Sequence, residues 1–170
     1  HSSCKAAPGS MAISGSLGTG TMTVAVSATA KATADQINAL QSTTGVTATA
    51  RTEVRLGGMA TAGSYSLTLE GDNVASPRTI SFTLVAGTGT DRLSPAVSAI
   101  NEQAAKTGIN ASLNSDGTQI ILTNATGNNI VIGDTVNANA GAVTVTGYDA
   151  AGASNGTTRT LAADANVEFI

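Results

Sequence analysis

The feature that most constrains this chain is an internal repeat. The first copy carries Ile37-Asn38 followed by Thr44-Gly45, and the second carries Ile100-Asn101 followed by Thr107-Gly108. The two pairs are equally far apart in both copies, and each Thr-Gly is followed by a β-branched residue, a polar residue and Ala. A repeat that stays in register without a gap predicts two similar folding units.

The first copy reads as strand, helix, strand. Thr21 to Ser27 alternates apolar and polar residues and predicts a strand, and Thr33-Ala34-Asp35-Gln36 fits a capping box that starts a helix. Gly45 is placed to end that helix in the left-handed conformation. The segment from Val46 to Leu56 alternates again, which predicts a strand with one buried and one solvated face. The residues expected on the buried faces are Met22, Val24, Val26, Val46, Ala48, Ala50, Val54 and Leu56.

The second copy repeats this plan. Thr79 to Leu84 alternates as a strand, and Ser94-Pro95 starts a helix with Ser at the cap and Pro at the first helical position. Ile109 to Leu113 and Thr118 to Thr123 flank Ser115-Asp116-Gly117, a strong hairpin signal. The predicted apolar stripe of the helix is Leu93, Val97, Ile100 and Ala104, and Gly108 ends it.

Outside the repeats the pattern predicts further strands and one loop. Gly63 to Gly71 reads as a strand with Tyr65, Leu67 and Leu69 inward. Short strands are predicted at Ile130 to Ile132 and Ala142 to Thr146, and a last one at Val167 to Ile170. Gly147 to Thr157 is rich in Gly, Ala, Ser and Asn, which favours a mobile loop.

The predicted fold class is therefore α+β, with mainly antiparallel sheets, two short helices and two related β-α-β(β) repeats. Residues 1–10 read as a tag and linker remnant and are left out of the fold. Residues 11–170 form either one domain or two similar lobes, about 11–73 and 74–170, divided near Gly71 to Pro77.

Composition excludes several classes of function. Only 11% of the residues are charged, against about 25% in typical domains, and aromatic residues make up 2%. The net charge is −3 and the eight Lys and Arg are scattered, so neither a basic stripe nor a stacking platform for nucleic acid exists. No apolar run approaches the roughly 20 residues needed to span a bilayer. The sequence predicts neither a nucleic-acid nor a membrane partner.

No catalytic or metal-binding constellation is predicted. The only His and the only Cys, His1 and Cys4, lie in the predicted tag, so triads and His or Cys metal sites lack their essential members. We therefore predict no catalytic residue, no cofactor and no metal. The carboxylates to which we assign solvated or turn-forming roles are Asp72, Asp91, Asp116, Asp134, Asp149, Asp164, Glu70, Glu102 and Glu168.

Three weaker motifs are better explained without a binding or modification site. Gly15 to Gly20 is glycine-rich but lacks the Lys of a phosphate-binding loop, so we interpret it as a linker. Gly127 to Asp134 lacks the core of a calcium-binding β-roll and is better read as a strand between turns. The triplets Asn110-Ala111-Ser112, Asn124-Ala125-Thr126 and Asn155-Gly156-Thr157 match an N-glycosylation signal, as expected by chance in a Thr- and Asn-rich chain.

The repeat resembles the one named for its Ile-Asn pair in flagellins and hook-associated flagellar proteins. The second copy is the fuller match, running from Leu93 through Ile100-Asn101 and Thr107-Gly108 to Thr123. In such flagellins the terminal helical segments form the filament core, and the middle of the chain loops out as variable outer domains. The sequence matches the middle, because no long heptad-bearing segment is present.

The resemblance implies a structural, non-enzymatic role as the surface-exposed variable domain of flagellin. This role supports motility and antigenic surface properties and places the domain in the extracellular flagellum. Other flagellin subunits would be contacted through segments that this sequence lacks, and exposed Ser or Thr would carry O-linked glycans. The isolated fragment is expected to be a monomer.

Three alternatives stay open at this point. A hook-associated or filament cap protein carries the same repeat. A carbohydrate- or host-binding adhesin module needs a concave site and usually an aromatic platform. The aromatic residues are Tyr65, Tyr148, Phe82 and Phe169, of which Tyr65 and Phe82 fit a core. An enzyme is the third alternative.

Overall fold

The structure, a computed structural model, describes residues 9–149, 151–161 and 166–169. Its strands are β1 Gly9–Ser14, β2 Thr19–Val24, β3 Thr52–Gly58, β4 Gly63–Glu70, β5 Arg78–Leu84, β6 Ile109–Leu113, β7 Ile120–Asn124, β8 Ile130–Asp134, β9 Val143–Tyr148, β10 Ser154–Thr160 and β11 Asn166–Phe169. Its helices are α1 Ala30–Ala39, α2 Gln41–Thr44, α3 Ser94–Asn101 and α4 Ala104–Thr107, with a 3₁₀ turn at Thr90–Leu93 before α3.

The strands form three sheets, and the strand pairs in them are antiparallel. Strands β1 and β2 make a two-stranded ribbon. A five-stranded sheet has the order β10-β9-β3-β7-β6, and a four-stranded sheet has the order β11-β8-β4-β5. This architecture confirms the predicted α+β fold class with mainly antiparallel sheets and two related repeats.

One hydrophobic core joins the two larger sheets and α3, which packs against β5 and β6. Tyr65 and Phe82, opposite each other on β4 and β5, stack within it with ring centroids 5.6 Å apart. Such a stacked pair adds about 0.5–1.5 kcal/mol to simple burial. The aliphatic core residues include Val54, Leu56, Leu67, Leu69, Ile80, Leu84, Ile100, Ile109, Ile120, Leu122, Ile130, Ile132, Val143 and Val145.

Most of the first copy lies outside this core, to which its strand β3 contributes Val54 and Leu56. In the part that precedes β3, α1 and α2 pack against β2, and the buried residues are Met22, Ala34 and Thr44. Among the described residues, no member of the main core precedes Val54. The two copies therefore share a sequence pattern but differ in how much apolar surface they bury.

Helix ends are partly as predicted. Gly45 and Gly108 end their helices in the left-handed conformation with φ of 74° and 68°, as expected. The predicted capping box at Thr33 is wrong, because α1 begins one turn earlier, where the Thr29 hydroxyl accepts a hydrogen bond from the Ala32 N–H. Ser94 lies inside α3 and makes no capping bond, since the preceding 3₁₀ turn already leads the chain into the helix.

Each predicted helix is divided into two segments. In the first copy the division falls at Leu40, which ends α1 and precedes α2. In the second copy α3 ends at Asn101 and α4 begins at Ala104. The short second segment brings Thr-Gly back toward the preceding hairpin in both copies.

Three predicted segments are wrong in the first copy. Val46 to Arg51 forms no strand, and β3 begins only at Thr52, where pairing with β7 and β9 starts. Strand β2 ends at Val24, so Val26 is exposed rather than buried. The predicted linker at Gly15 to Gly20 instead contains the turn of the β1–β2 hairpin, closed by a Gly15 N–H to Gly18 carbonyl hydrogen bond, and the first two residues of β2.

The predicted loop at Gly147 to Thr157 is also wrong. Strand β9 continues through Tyr148 and turns into β10, with the Asp149 carboxylate accepting hydrogen bonds from the Ala151 and Ala153 N–H groups. A neighbouring strand supplies backbone partners even to a polar, glycine-rich sequence, and local composition does not show this.

The strands of the second half agree with expectation. Strand β4, strand β5 with Ile80, Phe82 and Leu84 buried, and the β6–β7 hairpin are confirmed. Strands β8 and β9 are confirmed, as is β11, although Ile170 at its predicted end lies outside the described residues.

Two features bear on the predicted domain boundaries. Gly9 and Ser10, assigned from sequence to the tag, lie in β1, and residues 1–8 are outside the described part. Gly71 to Pro77 forms the turn between the paired strands β4 and β5. The division into lobes stays a prediction.

Candidate functional site

In each Ile-Asn pair, the asparagine side chain makes two hydrogen bonds to the backbone of an alanine ten residues later. The Asn38 amide donates to the Ala48 carbonyl at 2.9 Å, and its Oδ1 accepts from the Ala48 N–H at 2.8 Å. In the second copy Asn101 makes the same two bonds to Ala111, at 2.9 Å and 2.8 Å. We call each of these an asparagine clamp. An Asn side chain fits because it carries both a donor and an acceptor.

The Thr-Gly pair closes the same turn in both copies. The Thr44 hydroxyl donates to the Leu40 carbonyl at 2.9 Å and accepts from the Val46 N–H at 3.2 Å. Thr107 makes the matching bonds to Gln103 at 3.1 Å and Ile109 at 3.2 Å. Both threonines are fully buried, so these bonds satisfy hydroxyls that water cannot reach.

A glycine from the preceding hairpin packs against this turn. Gly15 approaches the Thr44 carbonyl, and Gly71 approaches the Thr107 carbonyl, so closely that a Cβ on either glycine would overlap that oxygen. The residue that donates its backbone N–H to the threonine carbonyl differs between the copies. Leu17, two residues after Gly15, donates to the Thr44 carbonyl at 3.3 Å, whereas Asp72, directly after Gly71, donates to the Thr107 carbonyl at 2.8 Å. The clamps, turns and glycine contacts show that both copies share one framework.

The second copy adds a polar cluster centred on Asp72. Its Oδ1 accepts hydrogen bonds from Asn124 Nδ2 at 2.8 Å, Asn128 Nδ2 at 2.8 Å and Thr126 Oγ1 at 3.1 Å. The fully buried Asn124 in turn accepts from the Thr126 N–H at 3.0 Å. This Asp72 cluster ties the β4–β5 turn to the loop that follows β7.

The ionised form of the Asp72 carboxylate is stabilised by its neighbours. Partial burial raises the pKa of Asp72, but hydrogen bonds from Asn124, Asn128 and Thr126 and the positive charge of Lys31 outweigh it, so the pKa lies below its ordinary value. Hydrogen bonds to the ionised form have this effect because protonation would break them. The cluster is therefore most stable with Asp72 ionised.

The loop held by Asp72 also contacts the first copy. The Lys31 N–H donates to the Gly127 carbonyl at 2.9 Å, and Gly127 lies directly against Ala50. Gly127 has φ of 79°, and a Cβ there would overlap Ala50. The Asp72 cluster thus lies at the junction between the two copies.

A charged group lies on the outer face of the five-stranded sheet. Glu53, only 9% exposed, pairs with Arg51 at 3.0 Å and with Arg55 at 3.4 Å. The Arg55 guanidinium lies 3.7 Å from the centre of the Tyr148 ring. These contacts compensate one another and explain why Glu53 is buried on a face predicted to be solvated.

The predicted carboxylates are dispersed. Asp134 and Asp149 accept backbone N–H bonds at turns, from Thr135 and from Ala151 and Ala153, in the predicted turn-forming role. The side chains of Asp164 and Glu168 lie outside the described residues. Across the described ranges, no three His, Cys, Asp or Glu residues lie close enough together to hold a metal ion.

The sequence reasoning missed the two arrangements that organise this region. The equal spacing of Asn38 to Ala48 and Asn101 to Ala111 was visible in the sequence and could have indicated the clamps. No local signal marked Asp72 as a centre, because its partners lie more than fifty residues away along the chain. Of the glycosylation-like triplets, the one at Asn124 is fully buried, whereas Asn110 and Asn155 are exposed.

Most of the aromatic residues that a carbohydrate-binding adhesin could use as a platform are buried or already in contact with other side chains. Tyr65 is 1% exposed and stacks on Phe82 in the core, as predicted. Burial raises the pKa of Tyr65, although the charge of Arg92 and a hydrogen bond to Thr61 oppose that rise. Tyr148 is half-buried with Arg55 over its face, and the side chain of Phe169 lies outside the described residues.

One shallow groove opens on the outer face of β4 and β5. It is bordered by the hydroxyls of Ser64, Ser66, Ser81 and Thr83 together with Asn137, and encloses about 470 Å³. The groove offers hydroxyl hydrogen-bonding groups but no charge. No helix within the described ranges is long and apolar enough to cross a membrane.

Comparison with known families gives one finding that covers both copies. The sequence profile of the flagellin hook IN motif matches residues 10–62 and again residues 66–126, together about two thirds of the chain. The first match spans β1 to β3 and the second most of β4 to β7, so each contains one clamp. A comparison with individual curated proteins gives no match.

Proposed function

This chain belongs to the flagellin hook IN motif family, and from that membership we propose that it is the surface-exposed variable domain of a flagellar filament subunit. The family gives it a flagellin-related structural role at the flagellum. The observation that carries the proposal is that both matched segments build the same clamp and the same Thr-Gly turn. Their polar atoms are engaged in the fold rather than directed at a ligand.

The surface of the domain suits repeated display outside the cell. Ser64 is exposed on β4, and Thr79, Ser81 and Thr83 are exposed on β5. A surface of Thr and Ser avoids the large apolar patches that would make densely displayed neighbours aggregate. We propose that these properties set the surface chemistry and antigenicity of an extracellular filament.

The proposal assigns no catalysis to the domain. The carboxylates of Asp72 and Glu53 are engaged by neighbours within the fold, Asp72 by side-chain amides and Glu53 by two arginines. In this proposal the partners are other flagellin subunits, joined through further segments of the protein. O-linked glycans on exposed Ser or Thr are proposed as a second kind of surface feature.

Antibodies raised against this chain test where the domain lies. Immunogold labelling of intact flagella should decorate the filament along its whole length. A control with antiserum preabsorbed on the chain should remove the gold. Binding of native filaments, without denaturation, is the result expected for a surface-exposed domain.

The same experiment separates the remaining alternative. Gold confined to the filament tip or to the hook–filament junction would identify a cap or hook-associated protein and overturn the filament proposal. Labelling that appears only after the filaments are dissociated would contradict surface exposure.

A further inference from the structure

The β1–β2 ribbon is the first-copy counterpart of the β4–β5 hairpin. Gly15 and Gly71, which follow β1 and β4, both pack against the Thr-Gly carbonyl of their own copy. Aligned on these glycines, Ile13 corresponds to Leu69 and Met11 to Leu67. The cross-strand pairs agree with this alignment, since Met11 lies opposite Met22 as Leu67 lies opposite Ile80.

The same face of the two hairpins differs in burial. In the second copy Leu67 and Ile80 are each 3% exposed. In the first copy Met22 is buried, but Met11 remains 46% exposed and Ile13 is half-buried. The uncovered part of this apolar face therefore lies on β1, the strand at the ribbon's outer side.

In the second copy the corresponding strand edge has a neighbour. Strand β8 pairs antiparallel with the free side of β4 and places Ile132 opposite Leu69, and β11 then extends the sheet to four strands. Within the part of the chain that the structure describes, β1 pairs with β2 alone. The missing element is thus an antiparallel strand whose apolar residues share the face of Met11 and Ile13.

A second copy of β1 supplies such a strand. If a twofold axis passes beside Ala12, Met11 of each copy faces Ile13 of the other, and all four side chains share one face. The resulting order β2-β1-β1-β2, with the last two strands from the partner, is a four-stranded antiparallel sheet like the one in the second copy.

Charge permits this contact. A twofold axis places like groups opposite each other, so any charge near it would be repelled by its own copy. The chain has a net charge of −3, yet Gly9 to Val24 contains no Asp, Glu, Lys or Arg. Strand β1 itself also lacks Pro, so neither a charge nor a proline within the strand protects its free edge.

We propose that two copies of this chain associate through the free edge of β1, pairing antiparallel about Ala12. The contact is small, so the association is weak and becomes populated at high local concentration. This proposal departs from the expectation, made from the sequence, that the isolated fragment is a monomer. The inference stands independently of the proposed function, because it concerns the isolated chain.

Sedimentation of the whole chain tests the proposal. The weight-average mass should rise with concentration between about 10 µM and 1 mM. Ala12→Lys should raise the dimer Kd about two- to fourfold at low salt, because it places two like charges on side chains whose Cβ atoms face each other about 5 Å apart. Thr21→Lys is the matched control, since Thr21 is exposed opposite Ala12 on β2 and adds the same charge away from the axis.

Thiol cross-linking tests the register. In a Cys4→Ser background, Ala12→Cys should form an intermolecular disulfide on mild oxidation, because the two residues face each other at the axis. Ser14→Cys should not, because the two thiol-bearing residues would be separated by about 13 Å along the strands.

The outcomes are distinct. A chain that stays monomeric up to about 1 mM would leave this edge to a segment from elsewhere and overturn the proposal. A dimer weakened equally by Ala12→Lys and Thr21→Lys, or one cross-linked as readily at position 14 as at position 12, would place the contact elsewhere and overturn it too. Circular dichroism of each variant shows whether the fold is retained.

Discussion

Ile100 of the second copy is 2% exposed beneath two sheets, whereas Ile37, at the same place in the first copy, is only half-buried on a two-stranded ribbon. Yet the asparagine that follows each isoleucine makes the same two hydrogen bonds, with lengths that agree between the copies. The hydrogen-bonded framework is therefore the same in surroundings that differ greatly in burial.

This difference separates two contributions to stability. The clamp and the Thr-Gly turn join residues close together in sequence, so each copy forms them from its own segment. Burial of apolar area depends on strands from distant parts of the chain, and the second copy packs with β3 of the first copy and with β8 and β9 in addition to its own strands β4 to β7. Because apolar burial stabilises a fold more than a few local hydrogen bonds do, we expect the second copy to hold most of the folding free energy.

The largest expected effect on stability is at the isoleucine of each Ile-Asn pair, where the two copies differ most in burial. Ile100→Ala should lower the free energy of unfolding by about 3–4 kcal/mol, because it leaves a cavity in a closed core. Ile37→Ala should cost only about 1 kcal/mol, because solvent already reaches that side chain. Urea denaturation measures both. Equal losses would show that the first copy is covered as fully as the second.

The next effect concerns the glycines that end the helices. Gly45→Ala should cost about 1 kcal/mol for the left-handed backbone alone, and Gly108→Ala about 2–3 kcal/mol. The difference arises because a Cβ at Gly108 would overlap the Asp72 carboxylate, whereas one at Gly45 meets Ser16 Oγ at 3.0 Å. Thermal and urea unfolding of both variants check the order.

A double substitution sharpens that result. Removing the carboxylate with Asp72→Ala should make Gly108→Ala less costly, so the two changes should depart from additivity by at least about 0.5 kcal/mol. Strict additivity would mean that the overlap is relieved in some other way.

The clamps themselves should respond alike. Asn101→Ala and Asn38→Ala each remove two hydrogen bonds and should cost about 1–2 kcal/mol. Amide hydrogen exchange gives the local readout, since the Ala111 and Ala48 N–H groups lose their acceptors. Asn101→Asp keeps the acceptor and should retain more of the Ala111 protection than Asn101→Ala does. A clamp substitution without effect on its own alanine amide would contradict the shared framework.

The smallest expected effect distinguishes Asp72 from its first-copy counterpart Ser16. Asp72→Asn should cost about 1 kcal/mol at neutral pH through weaker hydrogen bonds. The native pKa of Asp72 is lowered, so its stabilisation is complete above the unfolded value of about 3.9 and is lost as the pH falls through the native pKa. Stability curves of the native chain and the variant should therefore converge in acid.

Ser16→Ala is the control for this pH dependence. It removes no charge, so its effect on stability should not change between neutral and acidic pH. Curves for Asp72→Asn that run parallel to the native chain down to about pH 2 would show that the Asp72 charge contributes nothing.

Sequence reasoning was reliable where the deciding interactions are local. Gly45 and Gly108 were placed correctly because a left-handed helix end restricts residue choice. Strand β5 was placed correctly because its alternation reflects one buried face. It failed at Val46 to Arg51 and at Gly147 to Thr157, where strand formation depends on whether another strand lies alongside.

The repeat, the helix ends and the alternating strands were thus determined by the sequence itself, since each rests on backbone preferences and on contacts within a few residues. Tertiary structure alone decided that the helix of the second copy packs on the main core, whereas the helices of the first copy pack on a two-stranded ribbon. It also brought Asp72 to amides more than fifty residues away. The physical reason is that burial and charge stabilisation depend on which distant surfaces meet, and no short stretch of residues specifies that meeting.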